Sequence, residues 1–146
     1  MNITFTKEQY ENLVKLIYLG NWMVNAIRID DVIKKFEDVE QYIYSFHKDL
    51  GLERYVTYNQ ELGKFFPTNE LEMESDVEEY RDDYEDEVFW SEMTDRLARR
   101  DFIREHGEAV VRKMEPMERM KKEQPFIDKY DDEFCKHGIE RLEIGR

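Results

Sequence analysis

Apolar residues recur at helical spacing near the start of the chain, directly after a helix-start signal. Thr6 and Gln9 are placed as the two members of a capping box, in which each side chain bonds the other residue's backbone N–H. The apolar positions that follow cover about half of a helical wheel, so we expect a long core helix up to Ile29. Gly20 falls within this face, which indicates a close helix crossing or a local break. The predicted core face is Leu13, Leu16, Ile17, Leu19, Met23, Val24, Ala26 and Ile27.

A second apolar stripe follows a short polar break. Asp30 or Asp31 can cap this helix, and Gly51 stands where the helix would end. The predicted stripe is Val32, Phe36, Val39, Ile43, Phe46 and Leu50. A tight turn between the two helices favours an antiparallel pair. Residues 54–66 then hold two short runs rich in aromatic residues, which indicates either a small β-hairpin or an ordered loop.

Residues 70–87, hereafter the acidic segment, contain eleven carboxylates and one arginine, so they carry −10 of the total charge of −13. We expect a helix to begin near Ser75 and to pack through one narrow apolar face. That face comprises Val77, Tyr80, Tyr84 and Val88. At Phe89 the apolar positions move to another side of the helix. The sequence therefore predicts either a break near Val88 or one long helix between two packing partners.

The last third of the chain again shows helical spacing, interrupted by glycine and proline. One helix is expected to end at Gly107, and Pro116 suits the first turn of the final helix. Pro125 indicates a kink or two abutting helices. Gly138 is the expected end, which leaves residues 139–144 as a short tail or edge strand.

No internal repeat and no linker composition divide the sequence. The predicted fold class is mostly α, a single-domain helical bundle of about five helices over residues 1–146, with a candidate hairpin near 54–66. Twenty aromatic residues and seven methionines supply large core side chains, which disordered chains lack.

The composition also narrows the partners that we expect. A net charge of −13 repels phosphate backbones and anionic membrane surfaces, so direct binding to nucleic acid or to a membrane is not expected. Cys135 is the only cysteine, which excludes an internal disulfide. No apolar run approaches the ~20 residues of a membrane span. We expect a soluble, cytoplasmic protein without a cofactor.

Clustered carboxylates raise the alternative of metal or phosphate chemistry. Asp82, Asp83 and Asp86 complete a D-D-x-x-D pattern, which helical isoprenoid synthases use for Mg²⁺ and pyrophosphate. In so acidic a segment the pattern arises by chance, and no second acidic motif accompanies it. The three histidines form no local catalytic arrangement, and no P-loop or dinucleotide motif is present. We predict no catalytic or metal-binding residue, with a helical enzyme using these three carboxylates as the alternative.

Residues 96–122, hereafter the basic segment, carry nine lysines and arginines against five acids. If the acidic and basic segments pack as antiparallel neighbours, they neutralise each other and organise the fold. If the acidic segment is exposed instead, a row of carboxylates on a rigid helix can imitate nucleic-acid phosphates and dock onto a basic surface.

The second interpretation gives our functional hypothesis, a non-enzymatic acidic protein that binds a basic surface of another protein. In its sharpest form it is a nucleic-acid mimic that inhibits a DNA- or RNA-binding enzyme. The expected partner-binding residues are Glu78, Glu79, Asp82, Asp83, Glu85 and Asp86, with Tyr84 and Trp90 as anchors. The remaining alternative is a homo-oligomeric structural module, such as a homodimer, that uses the aromatic surface.

Overall fold

A computed structural model describes residues 3–143 of the chain, and it is mostly α-helical. Within these residues six helices and a two-stranded antiparallel sheet follow one another, and α3 and α5 are short, with five and four residues. The elements are α1 (Lys7–Asn25), α2 (Lys34–Tyr44), β1 (Val56–Asn59), β2 (Lys64–Pro67), α3 (Asn69–Met73), α4 (Asp76–His106), α5 (Glu108–Val111) and α6 (Pro116–His137). The predicted mostly α fold class and the hairpin are confirmed.

The chain divides into two compact units, Met1–Asp83 and Tyr84–Arg146. The first unit holds α1, α2, the hairpin, α3 and the first eight residues of α4. The second holds the remainder of α4 together with α5 and α6. The expectation of a single domain over residues 1–146 stays a prediction.

Helix α1 begins as its sequence predicts but buries a different face. Thr6 and Gln9 form both bonds of the capping box. The buried positions are Tyr10, Val14 and Tyr18, which are four residues apart and so share one face. The predicted core face is therefore wrong in its centre, where Leu16 and Met23 are mostly exposed.

Helices α1 and α2 are antiparallel, because the start of one meets the end of the other. The Tyr10 hydroxyl donates to the Ile43 carbonyl. At the opposite end, the Ile33 N–H donates to Asn25 Oδ1 at 2.9 Å. This contact orders the approach to α2, which begins at Lys34 without a side-chain cap. The predicted capping by Asp30 or Asp31 is wrong for that reason.

Helix α2 buries Glu40 and Tyr44, and His47 follows on the same face. Gln41 is the residue after Glu40, and its side chain contacts the hairpin. With Glu40 and Tyr44 facing the core and Gln41 facing the hairpin, the predicted apolar stripe does not face the core. The stripe is wrong in its first half, where Val32, Phe36 and Val39 are exposed. In its second half it is partly buried, since Ile43, Phe46 and Leu50 pack against the core.

The hairpin is joined to α2 through one glutamine. Gln41 Nε2 donates to the Phe65 carbonyl at 2.8 Å, and the Phe65 N–H donates to Gln41 Oε1 at 2.7 Å. Both backbone groups of one β2 residue are thereby satisfied on the edge away from β1. Leu52, Val56 and Leu71 are fully or almost fully buried in the same core as Tyr44.

Helix α4 is continuous over 31 residues, so the break considered near Val88 is not present. Val77 is buried in the core of the first unit, which α4 enters only through its first turns. The predicted packing face is wrong beyond this residue, since Tyr80, Tyr84 and Val88 are exposed.

The second unit is built on α4 and α6. Thr94, Ala98 and Phe102 are buried at four-residue spacing on α4. The Phe102 and Phe126 rings lie 5.6 Å apart, an edge-to-face contact between the two helices. Helix α6 starts at Pro116, runs unbroken through Pro125 and ends at His137, with Gly138 as its C-cap. Residues 139–143 contain no strand, and Ile144 lies outside the described residues.

Candidate functional site

The first turns of α4 are fixed to the first unit by one buried side chain and two polar contacts. Val77 is 1% exposed. Asp76 Oδ1 lies 2.8 Å from Lys15 Nζ on α1, and this contact holds the pKa of Asp76 below its usual range. The Arg81 guanidinium lies 5.8 Å from the centre of the Trp22 ring, within cation–π range. Val77 and Arg81, four residues apart, therefore mark the inward face of the helix.

The remaining acidic positions of α4 form an exposed row of carboxylates. Of the six acids expected to bind a partner, Glu78 is half-buried and the other five are exposed. The exposed acids of this row are Glu79, Asp82, Asp83, Glu85, Asp86 and Glu87. Those up to Asp83 belong to the first unit and the others to the second. The row follows the local helical spacing of one continuous element.

Few of these charges are compensated. Among the described residues, the ion pairs of the acidic segment are Asp76 with Lys15, Glu70 with Arg54 and Asp82 with Arg81. The last pair is long, at 3.6 Å, and Asp82 stays 62% exposed in it. Like charges at 82/86 and 83/87 each destabilise the helix by roughly 0.2–0.5 kcal/mol. The row therefore keeps most of its charge at a cost in local helix stability.

The basic segment forms its ion pairs with acids of its own unit. Its contacts join Arg96 to Glu92, Arg99 and Arg119 to Glu123, Arg112 to Glu108, and Lys122 to Glu118. At Glu123, Arg99 Nη1 lies 3.0 and 2.9 Å from the two carboxylate oxygens. Glu123 is on α6 and Arg99 on α4, so these charges hold the second unit together.

The two predicted aromatic anchors have different surroundings. Tyr84 is 48% exposed on α4, and Tyr80 and Phe89 are exposed nearby. Trp90 is half-buried, with its ring centre 5.7 Å from that of Phe134 on α6. An anchor needs surface that a partner can still bury, so Tyr84 fits this role better than Trp90.

Glu40 was not predicted as a core residue, yet its carboxylate is buried in the core of the first unit. It is 8% exposed, and burial raises the pKa of its carboxyl, an effect that the neighbouring Asn21 amide and Tyr44 hydroxyl partly oppose. The signal in the sequence is its four-residue spacing to the buried Tyr44, on the face of α2 that meets α1. Its surroundings are those of a polar group inside a core.

An apolar groove of about 660 Å³ lies between α1 and the end of α2 in the first unit. Its lining is mainly aliphatic and aromatic, with Tyr10, Tyr42 and Asp49 as the titratable groups. Burial and the nearby Asp49 raise the pKa of Tyr10 to about 12. The Tyr10 hydroxyl already donates its hydrogen bond to the Ile43 carbonyl. The groove therefore offers apolar contact rather than acid–base chemistry.

The D-D-x-x-D residues Asp82, Asp83 and Asp86 project from exposed positions of α4. Across residues 3–143, no group of three or more acidic, histidine or cysteine side chains is arranged to hold a metal ion. Over the same residues no helix combines the length and apolar composition needed to cross a membrane. Comparison of the chain with family models, curated proteins and solved structures finds no match.

Proposed function

We propose that the protein binds a basic surface of another protein through the exposed carboxylate row of α4. The observation that carries the proposal is the exposure of six acids on successive turns of α4, which form one long ion pair with the residues that the structure describes. A charged row held on a helix needs no ordering on binding, because the helix is already formed. Opposite charge on the partner accelerates association.

The proposal in its sharper form is that the row imitates the phosphates of a nucleic acid and occupies a nucleic-acid-binding cleft. Two features support it. The carboxylates are spaced along one continuous helix, and Tyr80 and Tyr84 are exposed among them. Phenol rings between charges resemble a base-and-phosphate surface in that they combine a flat apolar face with flanking anions.

Charge reversal at three positions tests the proposal. Replacing Asp82, Asp83 and Asp86 by lysine adds two charges at each site and brings the net charge from −13 to −7. We expect the triple variant to lose capture of its protein partner in an affinity pull-down. Its thermal stability should hold or rise, because Glu78 and Glu79 then gain lysines four residues on, where glutamate–lysine pairs are favourable by about 0.2–0.5 kcal/mol.

A matched control separates position from net charge. Asp128, Asp131 and Asp132 are exposed acids at comparable helical spacing on α6, and their reversal to lysine gives the same net charge of −7. This control should capture the same partner as the wild type. Equal capture by the wild type and the α4 triple variant would refute the proposal. For the mimic form, a DNA or RNA oligonucleotide should release the captured partner, and failure to do so leaves only the general basic-surface proposal standing.

A further inference from the structure

The outward face of α1 is apolar and carries no charge. Leu16 and Met23 are 67% and 57% exposed, and Ile27, just after the helix, is 86% exposed. The exposed positions from residue 12 to residue 27 are Asn12, Leu16, Gly20, Met23, Ala26 and Ile27. In a chain of which 39% is charged, such a strip is unusual for a face that only contacts water.

The apolar positions on this side of α1 are symmetric about Gly20. Leu16 and Ile17 lie four and three residues before it, and Met23 and Val24 lie three and four residues after it. The next apolar pair, Leu13 and Ile27, is seven residues away in each direction. In two antiparallel helices that cross at residue 20, the residue n positions before Gly20 meets the residue n positions after it. Each apolar side chain then faces another one, as a two-fold interface requires.

No contact within the chain explains why residue 20 is a glycine. It is exposed, it lies inside a helix, and apart from the adjacent backbone of α1 no atom is within 4 Å of the position that a Cβ would take. A glycine in a helix interior is less favourable than alanine by roughly 1 kcal/mol. Its missing side chain allows another backbone to approach closely. The centre of the apolar strip is where such an approach would occur.

We propose that the protein forms an antiparallel homodimer through this face of α1, with the two Gly20 residues at the two-fold axis. A second copy fits better than a basic partner, because the face offers no carboxylate to a cation. The pairing also keeps charge out of the contact, so the repulsion between two chains of −13 acts only from a distance. Each chain contributes the exposed side chains of Leu16, Met23 and Ile27 and the half-buried ones of Leu13, Ile17 and Val24, so the buried area is on the order of 1,000 Å², the lower limit for a specific interface.

Sedimentation velocity over a concentration series in the micromolar range tests the proposal. The wild type should pass from monomer to dimer, and Met23→Glu should weaken association at least tenfold by placing two charges in the contact. Met73→Glu is the matched control, because Met73 is also exposed, at 53%, but lies on α3. A wild type that stays monomeric throughout, or an equal effect of both variants, overturns the proposal.

Cysteine crosslinking tests the antiparallel geometry in a Cys135→Ser background. Gly20→Cys should form a disulfide-linked dimer on oxidation, because residue 20 meets its own copy. Asn12→Cys should not, because its two copies lie 16 residues apart along the axis, about 24 Å, beyond the reach of a disulfide. A mixture of Ile17→Cys and Met23→Cys chains should also crosslink, because residues 17 and 23 meet in the antiparallel pair. This second arrangement keeps Gly20, so it tests the geometry without a larger side chain at the axis. Crosslinking of Asn12→Cys, or failure of both linked arrangements, contradicts the geometry.

Discussion

Gly20 and Gly107 have equally empty surroundings, since apart from the adjacent chain no atom lies within 4 Å of a Cβ at either position, yet their backbones differ. Gly20 is inside α1, whereas Gly107, between α4 and α5, has φ +83°, which other residues rarely adopt. We expect Gly20→Ala to raise the free energy of unfolding by about 1 kcal/mol through helix propensity. Gly107→Ala should lower it by about 1–3 kcal/mol through backbone strain.

The two tryptophans allow each unit to be followed separately in urea unfolding. Trp22 lies in the first unit with Gly20, and Trp90 lies in the second with Gly107. Each glycine variant is measured by fluorescence in a chain that keeps only the tryptophan of its own unit, at concentrations low enough to keep the protein monomeric. Changes of the same sign at the two glycines would show that backbone conformation does not decide these effects.

The sequence was a poor guide to which single residues are buried. Tyr18 is not among the predicted core positions of α1, yet it is 6% exposed and donates from its hydroxyl to Glu72 at 3.3 Å. Met23 is more apolar and is mostly exposed. A helical wheel ranks side chains by polarity, but the neighbours that cover them come from α2 and the hairpin. These contacts span tens of residues and leave no local signal.

At the scale of elements, the sequence predicted the helix ends that depend on local chemistry. The Thr6 capping box, Pro116 in a first turn and Gly138 after a last turn each act within a few residues. The start of α2 was missed because the Ile33 N–H donates to Asn25, eight residues earlier.

For the candidate site, the helix and its acids were predictable from charge density and spacing. The role of the basic segment was not predictable, because Arg99 forms its ion pair with Glu123, which lies 24 residues further along the chain.

Asp101 on α4 contacts residues of α6, and its removal should lower the free energy of unfolding most at neutral pH. It accepts from Arg100 Nε at 2.9 Å and from the Tyr130 hydroxyl, and Lys129 Nζ lies 3.5 Å away. Arg100 and Tyr130 lower the pKa of Asp101 from 3.8 to about 2. A depressed pKa in the folded state means that the contribution to stability is present above pH 4 and is lost as the pH falls toward 2.

We expect Asp101→Asn to lower the free energy of unfolding by about 1 kcal/mol at pH 7, a modest value because the cationic partners are exposed to solvent. The difference from the wild type should shrink toward zero as the pH approaches 2. Thermal unfolding followed by circular dichroism across this range measures it. Asp95→Asn, an exposed acid on the same helix, is the control and should show no such loss. A difference that stays constant with pH would rule out the proposed cause.

At the scale of the whole molecule, the net charge of −13 acts in opposite directions on the two proposed interactions. Docking of the acidic row on a basic surface is an attraction between unlike charges, so screening weakens it. Self-association through α1 brings like-charged molecules together through an uncharged contact, so screening favours it. The Debye length falls from about 10 Å at 0.1 M salt to about 3 Å at 1 M. Added salt in this range should therefore change both the attraction to the partner and the repulsion between two copies.

Raising the NaCl concentration over this range should therefore reduce partner capture and increase the dimer fraction of the same protein. Pull-down measures the first and sedimentation velocity the second. The lysine variant of Asp82, Asp83 and Asp86, with its net charge of −7, should dimerise more readily at low salt and respond less to added salt, because its repulsion is smaller. Partner capture that does not weaken with salt would count against the carboxylate row as the binding surface. A dimer fraction that falls with salt would instead show that charges lie within the dimer contact, and so the two proposals fail separately.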